Sequence, residues 1–337
     1  MVDNPGMTPP KRARTTLPFA DLTPDRMFDA IEGIGMRCDG RLTALGSYEN
    51  RVVLIGLADG AEQVAKFYRP GRWSDAQILE EHAFVAELRA DEVPVVAPLV
   101  IDGRTLHTAA GQRFALYPRQ GGRAPEFDRP DVLEWMGRLL ARVHAVGART
   151  PFVARPRLDI EAFGYAARDS LMEGGMVPEG IAGVWAGVVD QALDGVATCL
   201  ERVGRLRYLR THGDCHVGNV LWSPGDGPHF VDFDDARMAP AVQDLWMLLG
   251  AGREMREAWR HVRAGYALMR DFDDAELEVV EALRTLRLLH HAAWIAARWD
   301  DPAFPAAFPW FAQPRYWEAR VLELREQIAR MDEPLFD

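Results

Sequence analysis

The chain almost dispenses with lysine. Of its 39 basic residues only Lys11 and Lys66 are lysines, so charge and solubility rest on arginine. A lysine inside an apolar segment then calls for a specific reason. Cysteine is equally sparse. Cys38, Cys199 and Cys215 are an odd number set far apart, and they form neither a CxxC metal site nor a disulfide framework. A reducing, cytoplasmic location is the expectation that follows. Positive charge does not dominate: 50 acidic against 39 basic residues give a net charge of −11. That excludes the basic footprint of a non-specific nucleic-acid binder. No apolar run approaches the ~18–20 residues of a membrane span. The Pro-rich segment 1–14 ends in Lys11-Arg12-Ala13-Arg14 and lacks the apolar stretch of a signal peptide. Internal repeats are absent, as are glycine-rich phosphate loops of the Gly-x-Gly-x-x-Gly and Walker A types.

What remains is an ordinary globular composition, 48% hydrophobic and 26% charged over 337 residues. At roughly 100–200 residues per domain, that length makes two domains or lobes. Residues 1–16 read as a disordered tail. Residues 17–118 are rich in strand signals. Val52-Val53-Leu54-Ile55 and Gln63–Tyr68 flank the turn dipeptide Asp59-Gly60. Ile78, Phe84, Val85 and Leu88 space a helix over 75–90, and strands return over 99–108 and 113–117. A hinge near 116–122 follows. Residues 119–337 are mainly helical, with a helix over 132–146 capped by Asp131 and a helical stretch over 159–203 broken at Gly174-Gly175 and Pro178. Residues 240–330 are helical apart from a Pro/aromatic loop at 301–314. Trp310, Phe311, Tyr316 and Trp317 read as core. The fold class is α+β, with a small β-rich N-terminal lobe and a large helical C-terminal lobe.

The densest polar cluster is Thr211-His212-Gly213-Asp214-Cys215-His216-Val217-Gly218-Asn219, followed by Val231-Asp232-Phe233-Asp234-Asp235. Two short apolar segments, Val220-Leu221-Trp222 and Phe230-Val231, flank a Ser/Pro/Gly/Asp turn. A hairpin there brings Asn219 and Asp232 together. An amide oxygen and a carboxylate at one point make a hard-oxygen Mg²⁺ site completed by phosphate and water. Asp214 then stands nearby as a free carboxylate able to orient or deprotonate a hydroxyl. Taken singly, each of these three is an ordinary turn residue; taken jointly at this spacing, they read as chemistry. His212 and His216 read as supports of the loop, and Cys215 as a packing thiol.

His212-Gly213-Asp214 through Asn219, then Asp232-Phe233-Asp234, resembles the aminoglycoside-phosphotransferase branch of the protein-kinase-like fold. That resemblance implies a two-lobed kinase fold with ATP as co-substrate. It implies Asp214 as the catalytic carboxylate, and Asn219 and Asp232 as Mg²⁺ ligands. In the same frame Lys66, in Val64-Ala65-Lys66, would hold the nucleotide phosphates, with Glu81 as its helix partner and Glu80 as the rival. Ser47 falls in the phosphate-covering turn. Tyr117 falls in the segment 116–119 whose backbone would meet adenine. Asp244-Leu245 would brace the catalytic loop. The segments Ser47–Val52 and Val64–Pro70 further resemble Ser/Thr protein kinases within this branch that act in bacterial stress response. The expected acceptor is therefore a protein Ser/Thr hydroxyl, with self-labelling. The alternatives are a small hydroxyl compound of the aminoglycoside, choline or homoserine type, or a nucleotide-binding pseudokinase scaffold. A cationic small molecule or a basic peptide would suit Asp234, Asp235 and Glu173. No nucleic-acid or membrane partner is expected, and a monomer is. No activation loop ending in Ala-Pro-Glu is present, so loop ordering by phosphorylation is not expected.

Overall fold

The computed structural model describes residues 17–223, 225–250 and 253–336. The N-terminal segment expected to be a tail, with its basic cluster, lies outside them, as does Pro224. The β-branched run becomes β2 (Arg51–Leu57), between β1 (Cys38–Ala44) and β3 (Glu62–Phe67). Asp59 closes the β2–β3 turn by accepting the Ala61 N–H at 3.0 Å. With β4 (His107–Ala109) and β5 (Gln112–Pro118) these strands form an antiparallel sheet of order β1-β2-β3-β5-β4. Its inner face packs Ile55, Ala65, Phe67, Phe114 and Leu116 on Ala30 and Ile31 of helix α1 (Pro24–Glu32). Burial of each large apolar side chain is worth ~1.5–3 kcal/mol.

The strand expected over 99–108 contracts to β4. Asp102 and Gly103 take positive φ values of 49° and 74°, and Ile101 bridges Arg104 across a tight turn that interrupts the run. Helix α2 (Asp75–Ala90) is opened by a capping box: the Ser74 hydroxyl accepts from the Gln77 backbone while the Gln77 side chain accepts from that of Ser74. It buries Ile78, Phe84, Val85 and Leu88.

The C-terminal lobe begins with α3 (Pro130–Gly147). Its N-cap is Arg129 rather than Asp131, because Pro130, which has no N–H to satisfy, takes the first helical position. Asp131 lies in the first turn and pairs with Arg129 at 2.7 Å. Helix α7 (Arg253–Ala267) lies close against α3: a Cβ on Gly265 would fall 1.8 Å from the Glu134 carbonyl oxygen. Helices α4 (Ala166–Glu173) and α5 (Glu179–Val203) separate at Gly174-Gly175, where the sequence breaks. Helix α8 (Val280–Ala296), the short α9 (Ala303–Ala307) and α10 (Pro314–Met331) complete the lobe. Phe311 and Trp317 are fully buried among Trp185, Leu193 and Leu286, while Trp310 is exposed. Among the described residues no helix is long and apolar enough to cross a membrane.

Between the helices run two small antiparallel pairs, β6 (Leu209–Thr211) with β9 (Arg237–Ala239), and β7 (Val220–Ser223) with β8 (Gly227–Phe230). A single turn, α6 (Val242–Leu245), follows them. The buried Glu276 carboxylate accepts the Val242 N–H at 2.9 Å. Burial pushes this carboxyl up to about 7. An unfolded Glu titrates at ~4.3, so the folded state holds the extra proton between the two values, and stability falls as pH rises through that window. Glu276→Gln should therefore flatten the pH dependence of stability between about pH 4 and 7, by roughly 1–3 kcal/mol at most. Thermal melts of the two proteins across that range check it; parallel profiles would refute the assignment.

Candidate active site

The β7–β8 hairpin pairs Val220 with Phe230 and Trp222 with Pro228. Just outside it, the Val231 N–H donates to the Asn219 carbonyl at 3.0 Å, so Asn219 and Asp232 meet at the open end. The Asn219 amide nitrogen donates to the Asp214 carbonyl at 2.9 Å, leaving its Oδ1 as the atom available to a cation. Asp232 sits at φ 59°, a left-handed conformation that Asp tolerates better than most residues. Its side chain is 52% exposed. One amide oxygen and one accessible carboxylate, both lining the same cavity, are a donor set that suits a hard divalent ion.

The loop carrying Asp214 is held from behind. Asp244, wholly buried in α6, accepts the N–H groups of His212 and Gly213, each at 2.8 Å, and faces His144 of α3 at 3.1 Å. Gly213 is required here: its φ is +83°, and a Cβ would fall 2.1 Å from the Asp235 carbonyl oxygen. His212 Nε2 lies 2.9 Å from the Val231 carbonyl and so stitches the Asp214 loop to the Asp232 segment. Asp214 Oδ1 contacts Arg287 of α8 at 2.6 Å, and its Oδ2 faces His216 at 3.4 Å. Burial opposes its ionisation, but His216 and Arg287 outweigh this and hold the carboxyl well below the usual carboxylate range. The adjacent Cys215 is fully buried, and burial pushes its thiol up, away from thiolate chemistry.

Lys66 is the buried lysine the sequence singled out. Its ammonium contacts Asp232 at 2.9 Å and Asp234 at 3.0 Å, and its side chain is 8% exposed. Burial lowers its pKa, but the two carboxylates outweigh that and raise it well above the ordinary value. The expected Lys66–Glu81 ion pair is not formed: Glu81 instead meets Arg155 at 3.4 Å. Arg155 competes successfully because its fork is fully buried and fixed by the carbonyls of Gln77, Asp234 and Ala236 at 2.7–3.1 Å. Glu80, the rival, is a structural staple. Its carboxylate accepts the N–H groups of Val153, Ala154 and Arg155 at 2.7–2.9 Å. Helix α2 is thus tied twice to the segment that follows α3.

The turn after β1 is pinned by side chains. Asn50 donates to Asp234 at 3.3 Å and accepts the Arg69 N–H at 3.1 Å. Glu49 receives Trp294 Nε1 at 2.5 Å and lies 2.7 Å from Arg298, both on or just beyond α8. Ser47 lines the cavity beneath. The Tyr117 hydroxyl lies 3.2 Å from that of Tyr68, and Tyr117 is not part of the cavity lining.

That cavity holds about 830 Å³. It runs from the Ser47 turn past Asp214, Asn219 and Asp232 to α4 and α8. Its acidic residues are already matched. Asp234, brought down to about 2 because Arg72 and Lys66 outweigh its burial, is in contact with Arg72. Asp235 pairs with Arg72 at 3.0 Å and Arg237 at 2.6 Å. Glu173 is exposed and outside the lining. The charge complement expected for a cationic acceptor is therefore spent on internal pairs. Arg72, Arg155 and Arg287 are site residues that the sequence reading missed. One signal was present for the last: Arg287, His291, Trp294 and Arg298 recur at helical spacing along a single face.

An antiparallel sheet above a helical lobe, with these groups at the junction, defines a kinase-like phosphotransferase. Residues 41–280 match the APH phosphotransferase enzyme family, and the chain belongs to it. Among similar proteins is the stress response kinase A of Salmonella typhi, 42% identical over 317 residues, which cover 94% of this chain and 95% of that one. The serine/threonine protein kinase RdoA of Salmonella typhimurium shares the same identity and coverage, and the Escherichia coli K12 stress response kinase A is 41% identical. Solved structures share the fold. Amicoumacin kinase hAmiN, in complex with AMP-PNP, Ca²⁺ and Ami, aligns with TM-score 0.69 at 20% identity over 91% of this chain and 94% of that one. A microcompartment-associated aminopropanol kinase aligns with TM-score 0.67 at 20% identity, over 89% and 94%.

The Arg155–Glu81 pair gives a direct test of the α2 anchorage. Arg155→Met leaves a carboxylate buried without its partner and should destabilise the protein by about 3–5 kcal/mol. Adding Glu81→Gln should recover part of that loss. Denaturant unfolding of the single and double variants measures both; additive losses would show that the two side chains do not interact.

Proposed function

We propose that this chain is an ATP- and Mg²⁺-dependent kinase that phosphorylates Ser/Thr hydroxyls of proteins in a bacterial stress response. The observation that carries the phosphotransfer reading is that Asp214, Asn219 and Asp232 line a single cavity, with the buried Lys66 behind them in contact with Asp232 at 2.9 Å. The protein acceptor is supported by the similarity, over 94% of the chain, to a relative named as a serine/threonine protein kinase. In this reading Asn219 Oδ1 and the Asp232 carboxylate hold Mg²⁺, which would neutralise phosphoryl oxygens. Lys66, already between two carboxylates, serves the nucleotide phosphates. Ser47 and its turn cover them, and the backbone around Tyr117 meets the base. Asp214 orients the acceptor hydroxyl and receives its proton as the oxygen–phosphorus bond forms and the bond to ADP breaks. Its depressed pKa makes it a weak base at rest, so orientation comes first and proton acceptance late. Most of the catalysis is positioning and charge compensation.

A second reading, a kinase of small hydroxyl compounds, has one observation in its favour. A cavity of about 830 Å³ lies within the ~300–1,000 Å³ typical of small-ligand sites.

Asp214→Asn should lower turnover by at least about a hundred-fold while leaving Mg·ATP affinity nearly unchanged. Asp232→Ala should abolish Mg²⁺-dependent nucleotide binding, and Asn219→Ala should weaken it. Calorimetric titration separates the two effects; loss of binding in Asp214→Asn would put that residue in the metal shell. For the acceptor, mass spectrometry after incubation with Mg·ATP should find phosphoserine or phosphothreonine on a protein substrate and on the enzyme itself. Phosphorylation confined to a small alcohol would select the second reading.

A further inference from the structure

One wall of the cavity is basic and aromatic. It comes from one helix face: Arg287, His291 and Trp294 of α8, with Arg298 just beyond. Of the guanidinium groups in the lining, Arg72, Arg237 and Arg298 are held by fixed carboxylates, Asp234 and Asp235 for the first two and Glu49 for the third. Arg287 differs. Among the described residues its single hydrogen-bond partner is Asp214, at 2.6 Å, and its side chain is 41% exposed. A guanidinium carries five N–H donors in a planar fork, so most of this one remains unused.

The contact places those unused donors beside the carboxylate a reacting hydroxyl would approach. A carboxylate has about four lone-pair sites, so Asp214 can receive the hydroxyl while keeping Arg287 on Oδ1 and His216 at 3.4 Å from Oδ2. The carboxylates on the other walls do not take up the free N–H groups of Arg287, because each already faces a fixed cation. A negative group on the acceptor would.

We propose that Arg287 is an acceptor-specificity residue that receives a carboxylate or phosphate lying beside the reacting hydroxyl, so that the preferred site is a Ser or Thr flanked by acidic side chains. The proposal rests on the reading of Asp214 as the group that meets the hydroxyl. It reverses the expectation of a cationic acceptor. A planar fork matches a carboxylate or phosphate with two parallel hydrogen bonds. A Lys or Arg at the same place on the acceptor would instead be repelled by the guanidinium.

The test compares two Ser peptides identical except for flanking Glu or flanking Lys, alongside a small pair, 3-hydroxypropionate and 3-amino-1-propanol. The wild-type enzyme should favour the Glu peptide by at least about tenfold in kcat/KM, a discrimination in the range of one charge-assisted hydrogen bond. Arg287→Gln should bring the ratio close to one, chiefly through KM for the acidic peptide, and Arg287→Glu should invert it. Because the side chain is partly exposed, both variants should melt near the wild type. An equal fall in kcat on both peptides, with an unchanged ratio, would overturn the proposal and give Arg287 to the transferring phosphoryl group. So would a wild-type preference for the Lys peptide. If only 3-hydroxypropionate is phosphorylated, and Arg287→Gln loses that selectivity, the protein-kinase reading fails while the assignment of Arg287 stands. If no acceptor of either kind is labelled, both fail.

Discussion

One buried carboxylate holds the two lobes in register. Asp234 is contacted by Lys66 from β3, by Arg72 from the approach to α2, and by Asn50 from the turn that covers the cavity. All three come from the N-terminal lobe, and Asp234 itself comes from the segment after β8 in the C-terminal lobe. Burial alone would penalise its charge; the surrounding cations reverse that and bring its carboxyl to about 2. Removing any one cation leaves this buried charge under-compensated. Such networks hold their geometry because partial satisfaction is costly.

The same constraint reaches the turn after β1, which holds a single glycine, Gly46. Here Glu49 and Asn50 are bolted to Trp294, Arg298 and Asp234, so the position of the turn is set by side chains rather than by backbone freedom. The same logic applies behind the catalytic loop. Asp244 spends both oxygens on the N–H groups of His212 and Gly213, so Asp214 is presented by a rigid support. Solved kinases of different substrates share this scaffold with the chain.

Local patterns carried most of what the sequence disclosed. The hairpin between Asn219 and Asp232 was readable because two apolar segments flank a turn a few residues long, and a hairpin register is a short-range property. Helices α2, α3 and α5 announce themselves by spacing and by their breaks. Helix α1 escaped notice, being nine residues long and rich in charge. The long-range pairs were invisible. Arg155 meets Glu81 across 74 residues, and Arg287 meets Asp214 across 73. In a chain with 39 basic residues, nothing local marks which guanidinium will face which carboxylate. The family frame supplied Lys66 with Glu81 as its partner; three-dimensional packing gave Glu81 to Arg155 instead, because the arginine brings backbone contacts that a lysine cannot make.

The scarcity of lysine has a practical side. Lys66 is the sole lysine among the described residues, and Lys11 is the one other in the chain. Enrichment with lysine labelled at the side-chain nitrogen would place spectroscopic nuclei at just two positions. An ammonium held between Asp232 and Asp234 and shut away from water exchanges its protons slowly enough to be seen, whereas a solvated one does not. The chain therefore carries a native, single-atom reporter at the junction of its lobes, one that needs no engineered probe.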